Sequence, residues 1–211
     1  MAHRVFLLSP ASCVGKRCDQ LLARGASFEL ARRLRARGAP LGEVFSFVSS
    51  LYFRGKLTYA RHFAAPPPGR PGVLVITAGR GLLDPDTAIT SRDVRAFRRV
   101  SIDAGEPRYA APLRGDAEAL RAQLGPAAEV VLLGSIATAK YVDVLGAVFG
   151  RALLFPGDFV GRGDMSRGGL LLRAASAGAE LAYRAADGAP RHGPRAAKLS
   201  SATRPAARPV R

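Results

Sequence analysis

Residues 129–175, EVVLLGSIATAKYVDVLGAVFGRALLFPGDFVGRGDMSRGGLLLRAA, restrict the fold more than any other part of the chain. Two short, continuously apolar runs, 130–133 and 152–155, are closed by Gly134 and by Pro156-Gly157. Runs of that length without alternation suit strands buried on both faces. Between them Tyr141, Val144, Leu145, Val148 and Phe149 recur at helical spacing. Strand, crossover helix and strand within about thirty residues predict a right-handed βαβ unit in a parallel sheet. The second run opens into a loop with five glycines (157, 161, 163, 168, 169), Asp158, Asp164, Arg162, Ser166 and Arg167, which feeds a further helix. Free backbone N–H groups at a helix start, with arginines beside them, form anion sites.

The rest of the chain continues this α/β pattern. Residues 4–9 read as the first strand and PASCVGKR, 10–17, as its loop, with a helix from about Asp19. That loop has the spacing of a phosphate-binding P-loop, but Pro10 replaces the first glycine and Arg17 the hydroxyl that holds magnesium, which excludes a true Walker A. Lys16 beside Gly15 remains either an anion ligand or a solvated lysine in a capping loop. FELARRLRAR, 28–37, is a basic helix stopped by 38–40. In 41–63 six aromatics include Phe45, Tyr52 and Tyr59, seven residues apart on one helical face, interleaved with Arg54, Lys56 and Arg61. Such a stripe either packs into the core with its cations facing water or stacks on bases while the cations hold phosphates. The expectation is the core.

A Pro-rich connector, AAPPPGRP at 64–71, precedes a second buried strand at 73–77 and the loop AGRGLLDPDTAIT, with Arg80, Asp84 and Asp86. A helix starts at Thr90 or Ser91 and runs to about Arg99, capped through Asp93. Residues 100–102 read as a short strand, 116–124 as a helix and 180–183 as an edge strand. The chain is therefore expected to form one three-layer α/β/α domain, residues 1–184, with a mostly parallel, Rossmann-like central sheet. From Arg184 onward seven Lys or Arg stand against one Asp in a stretch rich in Ala and Pro, so 185–211 are expected to be a disordered basic tail.

Composition narrows the function classes. The net charge is +16, which attracts polyanions, so DNA, RNA or a nucleotide leads the partner classes. The same excess also fits compositional bias, because 28 of 32 basic residues are Arg in an Ala-, Gly- and Pro-rich chain. Two cysteines, Cys13 and Cys18, are too few for a disulfide scaffold or a Cys-based structural zinc site and are expected to be free thiols. The first apolar run is too short for a signal-peptide core, and no uninterrupted apolar stretch of about 18 residues would span a bilayer. A cytoplasmic location is expected, and no cofactor or metal is implied. Oligomeric state is not legible.

If the four central strands are parallel, their carboxyl ends gather Ser9, Ser12 and Lys16; Arg80, Asp84 and Asp86; Ser135 and Lys140; and Asp158, Arg162, Asp164, Ser166 and Arg167. There is no Ser-His-Asp set, metal-ligand cluster or dinucleotide fingerprint. Ser12, Lys16, Arg80, Ser135, Arg162, Ser166 and Arg167 are the expected substrate-binding residues, through phosphate. Asp158 or Asp164 is the expected catalytic carboxylate, orienting water or stabilising a sugar cation as an N-glycosidic bond breaks. Asp164 as a helix cap and Asp158 as a turn residue are the competing readings.

VVLLGSIATAKYV followed by LLFPGDFVGRGDMSRGG resembles the carboxy-terminal half of the uracil-DNA-glycosylase-like superfamily, over about fifty residues. The resemblance implies an α/β fold and base release from nucleic acid. Near Phe155, Pro156 and Gly157, where that superfamily carries a His-Pro-Ser loop, this chain has no histidine, and its first strand ends in SPASC. SCVGK, LYFRGKLTYA and GLLDPD also resemble motifs of small uncharacterised bacterial proteins, which bring no activity with them. The expected function is a nucleic-acid- or nucleotide-directed enzyme, glycosylase- or hydrolase-like. The rival is a non-catalytic nucleic-acid-binding or accessory protein.

Overall fold

The structure is a computed structural model and describes residues 3–125 and 127–196. Its centre is the strand β1 (Arg4–Leu8), whose four residues after Arg4 are fully buried because helices cover both faces. It pairs in parallel with β3 (Val73–Ile76) on one side and with β6 (Glu129–Leu133) on the other. Next to β6 lies β7 (Leu153–Pro156), also parallel. The edges are antiparallel: β4 (Leu82–Leu83) beside β3, and β8 (Tyr183–Ala185) beside β7. The six strands lie in the order β4-β3-β1-β6-β7-β8. A second, two-stranded sheet pairs β2 (Ala39–Pro40) with β5 (Ala88–Ile89).

The pleat sends alternate side chains of β1 to two separate cores. Phe6 and Leu8 face α1 (Lys16–Leu22), α2 (Glu29–Ala36), α3 (Leu41–Ser49), α4 (Leu51–Phe63), α5 (Ser91–Phe97) and α8 (Asp164–Ala177). Val5 and Leu7 face α6 (Pro107–Gln123) and α7 (Ala139–Phe149). This is the expected three-layer architecture, and the β6-α7-β7 unit is parallel as its pattern requires.

Helices α4 and α8 cross almost backbone to backbone. A Cβ on Gly55 would come within 2.7 Å of the Gly168 carbonyl oxygen, and one on Gly168 within 2.9 Å of the Leu51 carbonyl oxygen. Two glycines thus bring the α4 residues Tyr52 and Lys56 against the start of α8. The aromatic segment is not one helix, because Ser50, at φ 53°, breaks it into α3 and α4. Phe45, Tyr52 and Tyr59 are nevertheless all buried, so the stripe belongs to the core. Arg54 and Arg61 face solvent, as expected of that reading, but Lys56 does not: it is 1% exposed.

Two further expectations change. Residues 100–102 form no strand but run as a connecting segment, and α6 begins at Pro107 rather than near 116. Pro107 occupies the first helical turn, where a missing N–H costs nothing, while Pro112 and Gly115 interrupt the helical pattern in the sequence. The chain after β8 stays on the fold through residue 196. Ala186 N donates to the Leu153 carbonyl (2.8 Å), Arg191 Nη2 to Asp143 Oδ1 (3.2 Å) and Ala196 N to the Gly161 carbonyl (3.2 Å). The tail was expected from 185. Its residues 185–196 pack as described, and 197–211 lie outside the described residues.

Candidate active-site cleft

Because β1, β3, β6 and β7 are parallel, their carboxyl ends open on one edge of the sheet. From β1 the chain next joins the sheet at β3, and from β6 at β7, on opposite sides. The β1/β6 pair is therefore the switch point at which open α/β sheets bind ligands. A cleft of about 800 Å³ lies there. The loop after β1 supplies Ser9, Pro10, Ser12, Cys13 and Val14, and the loop after β6 with the first turn of α7 supplies Ser135, Lys140 and Tyr141. Ser49 and Tyr52, residues 97–103 and Asp164 complete the wall.

Lys56 lies under this cleft. Its Nζ donates to the carbonyl oxygen of Ser9 at 2.5 Å and to Ser9 Oγ at 2.8 Å. The ring of Tyr52 is 4.4 Å away and that of Phe53 5.0 Å. Ser9 Oγ in turn reaches the Leu133 carbonyl at 3.2 Å, tying the end of β1 to the end of β6. Among the described residues Lys56 forms no ion pair, and burial pulls its pKa down to about 7. Of its charged neighbours, both on α8, Asp164 opposes that shift and Arg167 adds to it.

The Tyr52 hydroxyl is buried in the cleft wall and makes no hydrogen bond of normal geometry among the described residues. Burial raises its pKa well above the usual phenol range, and the nearby Arg167 guanidinium only tempers this. Tyr141 is pushed up to about 12, by burial and then by the charge of Asp164. Both phenols are neutral donors at physiological pH. Cys13, also in the wall, has its thiol pKa raised by its contact with Cys18 and by burial, and both cysteines are free.

The expected site residues divide. Ser12, Ser135 and Asp164 line the cleft. Asp164 begins α8 with its side chain 70% exposed, 3.5 Å from Arg167 Nη1. Arg167 is buried: its Nε and Nη2 donate to the Phe159 carbonyl at 3.1 and 3.0 Å, so it braces the turn before α8. Arg162 Nη1 meets Ser166 Oγ at 3.3 Å beside that brace. Asp158 lies exposed on the 3-10 turn after β7, outside the cleft wall. Lys16 is exposed at the start of α1, and Arg80 pairs with Asp93 at 3.0 Å; neither lines the cleft.

Sequence reasoning missed Lys56, Tyr52 and residues 98–103, which include Arg98, Arg99, Ser101 and Asp103. Arg98 is held by Asp19 at 2.7 Å. A signal for Lys56 existed. It lies four residues after Tyr52 and three before Tyr59, on the apolar side of its helix, and is one of only four lysines. The 98–103 segment carried none, because its apolar Val100 and Ile102 read as strand.

Comparison with protein-family models, curated proteins and solved structures found no match to this chain. Among the described residues, no group of three or more His, Cys, Asp or Glu is placed to hold a metal ion, and no helix is long and apolar enough to cross a membrane.

Proposed function

We propose that this chain is a nucleic-acid- or nucleotide-directed enzyme of hydrolase type, with cleavage of an N-glycosidic bond as its reaction and Asp164 as its catalytic carboxylate. The observation that carries this reading is the content of the switch-point cleft. Two exposed carboxylates line it, Asp164 and Asp103. Asp103 is engaged in its own turn by Gly105 N, so Asp164 is the one left to share the cleft with two tyrosines, with Lys140 and Arg99, and with the hydroxyls of Ser12 and Ser135. Tyr52, Tyr141 and Phe97 offer apolar surface to a base. Lys140 and the arginines of 98–99 suit its phosphate, and the net charge of +16 favours approach of a polyanion. Asp164 then orients water toward the sugar or stabilises its developing cation. The resemblance to uracil-DNA-glycosylase-like proteins points the same way, although the histidine of that superfamily has no counterpart here. Asp158, exposed and outside the cleft wall, is the internal comparison.

The test is base release from labelled single-stranded DNA, duplex DNA, RNA and free nucleotides. Wild type and Asp158→Asn release a base from at least one of them, and Asp164→Asn loses at least 100-fold. Binding without release by wild type on every substrate would leave the non-catalytic nucleic-acid-binding protein as the correct reading.

A further inference from the structure

The nucleotide reading leaves unused an unusual group beneath the cleft floor. Lys56 is fully enclosed, without an ion-pair partner among the described residues, and it spends its hydrogen bonds on one residue, Ser9. Burying an ammonium without an ion-pair partner costs free energy that an apolar side chain would not, so stability alone does not account for a lysine here. Ser9 lines the cleft, its Oγ 2.8 Å from Nζ. Gly134 lets the end of β6 close on it: a Cβ there would stand 3.0 Å from Ser9 Cβ and 3.4 Å from Oγ, and Ser9 itself is 4% exposed. Hydroxyl, amine within hydrogen-bond reach and a third group fixing the amine are the parts of an activated nucleophile. The third group is the Ser9 carbonyl, which anchors Nζ between the Tyr52 and Phe53 rings.

We propose that Ser9 and Lys56 form a nucleophile and base pair acting on a phosphoryl ester bound in the cleft. Unprotonated Lys56 keeps an N–H on the Ser9 carbonyl and presents its lone pair to the Ser9 hydroxyl, which turns its proton from the Leu133 carbonyl onto Nζ. It takes that proton as Oγ attacks phosphorus. The Oγ–P bond forms, the ester P–O bond breaks, and the Lys56 ammonium gives its proton to the departing oxygen. Water then attacks the phosphorylated serine. Its oxygen stays on phosphorus, the Oγ–P bond breaks, and one water proton returns to Oγ by way of Lys56. One water is consumed, and an alcohol and a phosphate are released. The phosphoryl class rests on the nucleotide reading and on Lys140, Arg99 and the hydroxyls of Ser12 and Ser135 in the wall. The covalent step does not require Asp164. A pair of this kind gains reactivity as Lys56 loses its proton, and burial together with Arg167 favours that loss against the pull of Asp164.

The experiment is labelling of the full chain with a fluorophosphonate probe, located by peptide mass spectrometry between pH 5.5 and 9. The expected result is modification of Ser9 at a rate that rises through about pH 7. Labelling is abolished in Ser9→Ala, reduced at least 100-fold in Lys56→Met with an unchanged circular dichroism spectrum, and slowed by inorganic phosphate. Absence of label on Ser9, or labelling at the same rate in folded Lys56→Met, overturns the pair. A wild-type rate that is flat in pH also overturns it, without depending on how the variant folds. Labelling that phosphate does not slow overturns the phosphoryl assignment. Base release by Asp164 is read separately, so either idea fails without the other.

Discussion

Replacing Lys56 by Met changes the pH dependence of stability in a direction the structure fixes. In the unfolded chain this lysine has an ordinary pKa of 10.5; in the fold, burial pulls it down to about 7. Below pH 7 both states hold the proton, and the fold carries the whole cost of an enclosed ammonium. Between pH 7 and 10.5 the folded state releases the proton and the unfolded state keeps it. Stability therefore rises with pH across that window, by up to about 1.4 kcal/mol per pH unit. From pH 7 to 9 the wild type gains about 2 kcal/mol relative to Lys56→Met, in which every other titrating group is common and cancels. Urea denaturation of both proteins at half-unit intervals from pH 6 to 9 reads the difference. At pH 6 the variant is at least as stable as wild type, because an apolar side chain of similar length replaces a charge without an ion-pair partner among the described residues. A stability difference constant from pH 6 to 9 would refute the reasoning, since Lys56 would then hold one protonation state throughout.

Gly168→Ala places a methyl 2.9 Å from the Leu51 carbonyl oxygen and from the Tyr52 Cα, so the α4–α8 contact must open. It is expected to cost about 1–3 kcal/mol in thermal or chemical denaturation, whereas Gly146→Ala, with open space around the new Cβ, costs no stability. Truncation after Tyr183 removes two residues of β8 and the packed segment behind it and is expected to lower the melting temperature, while truncation after Ala196 retains every described hydrogen bond. The longer truncated form also loses only four cations, so the salt dependence of any nucleic-acid binding falls by no more than about 4 in log-log slope.

The framework was legible because buried parallel strands leave a strong signature. The runs at 73–76, 130–133 and 153–155 are apolar on both faces and are bounded by Gly or Pro. Parallel direction followed from the helical repeat of Tyr141, Val144, Leu145, Val148 and Phe149, and direction alone brought the right loops to one edge. Position within that edge was not legible. Arg167 and Asp158 belong to the same Gly-rich loop as Asp164, yet one side chain turns inward onto the Phe159 carbonyl and the other lies in solvent, outside the cleft. Arg167 stands beside Gly168, where α8 meets α4 at Gly55, a contact between residues more than a hundred apart in the sequence. Lys56 was misjudged for a related reason. A cation in an aromatic stripe reads as solvated unless a carbonyl from another element awaits it, and Ser9 is that element. The tail was placed too early because Ala186 and Ala196 hold the surface through backbone groups, which composition does not display.

The central claim is that a nucleotide ligand binds at the carboxyl ends of β1 and β6. The most direct measurement is an amide chemical-shift map of the full chain titrated with the four ribonucleoside and four deoxyribonucleoside monophosphates. The account predicts saturable shifts that cluster on 9–14, 98–103, 135–141 and 164 for at least one of them. Shifts confined to the outer faces of α2 and α4 or to residues after 185, or no saturable shift with any of the eight, would contradict it.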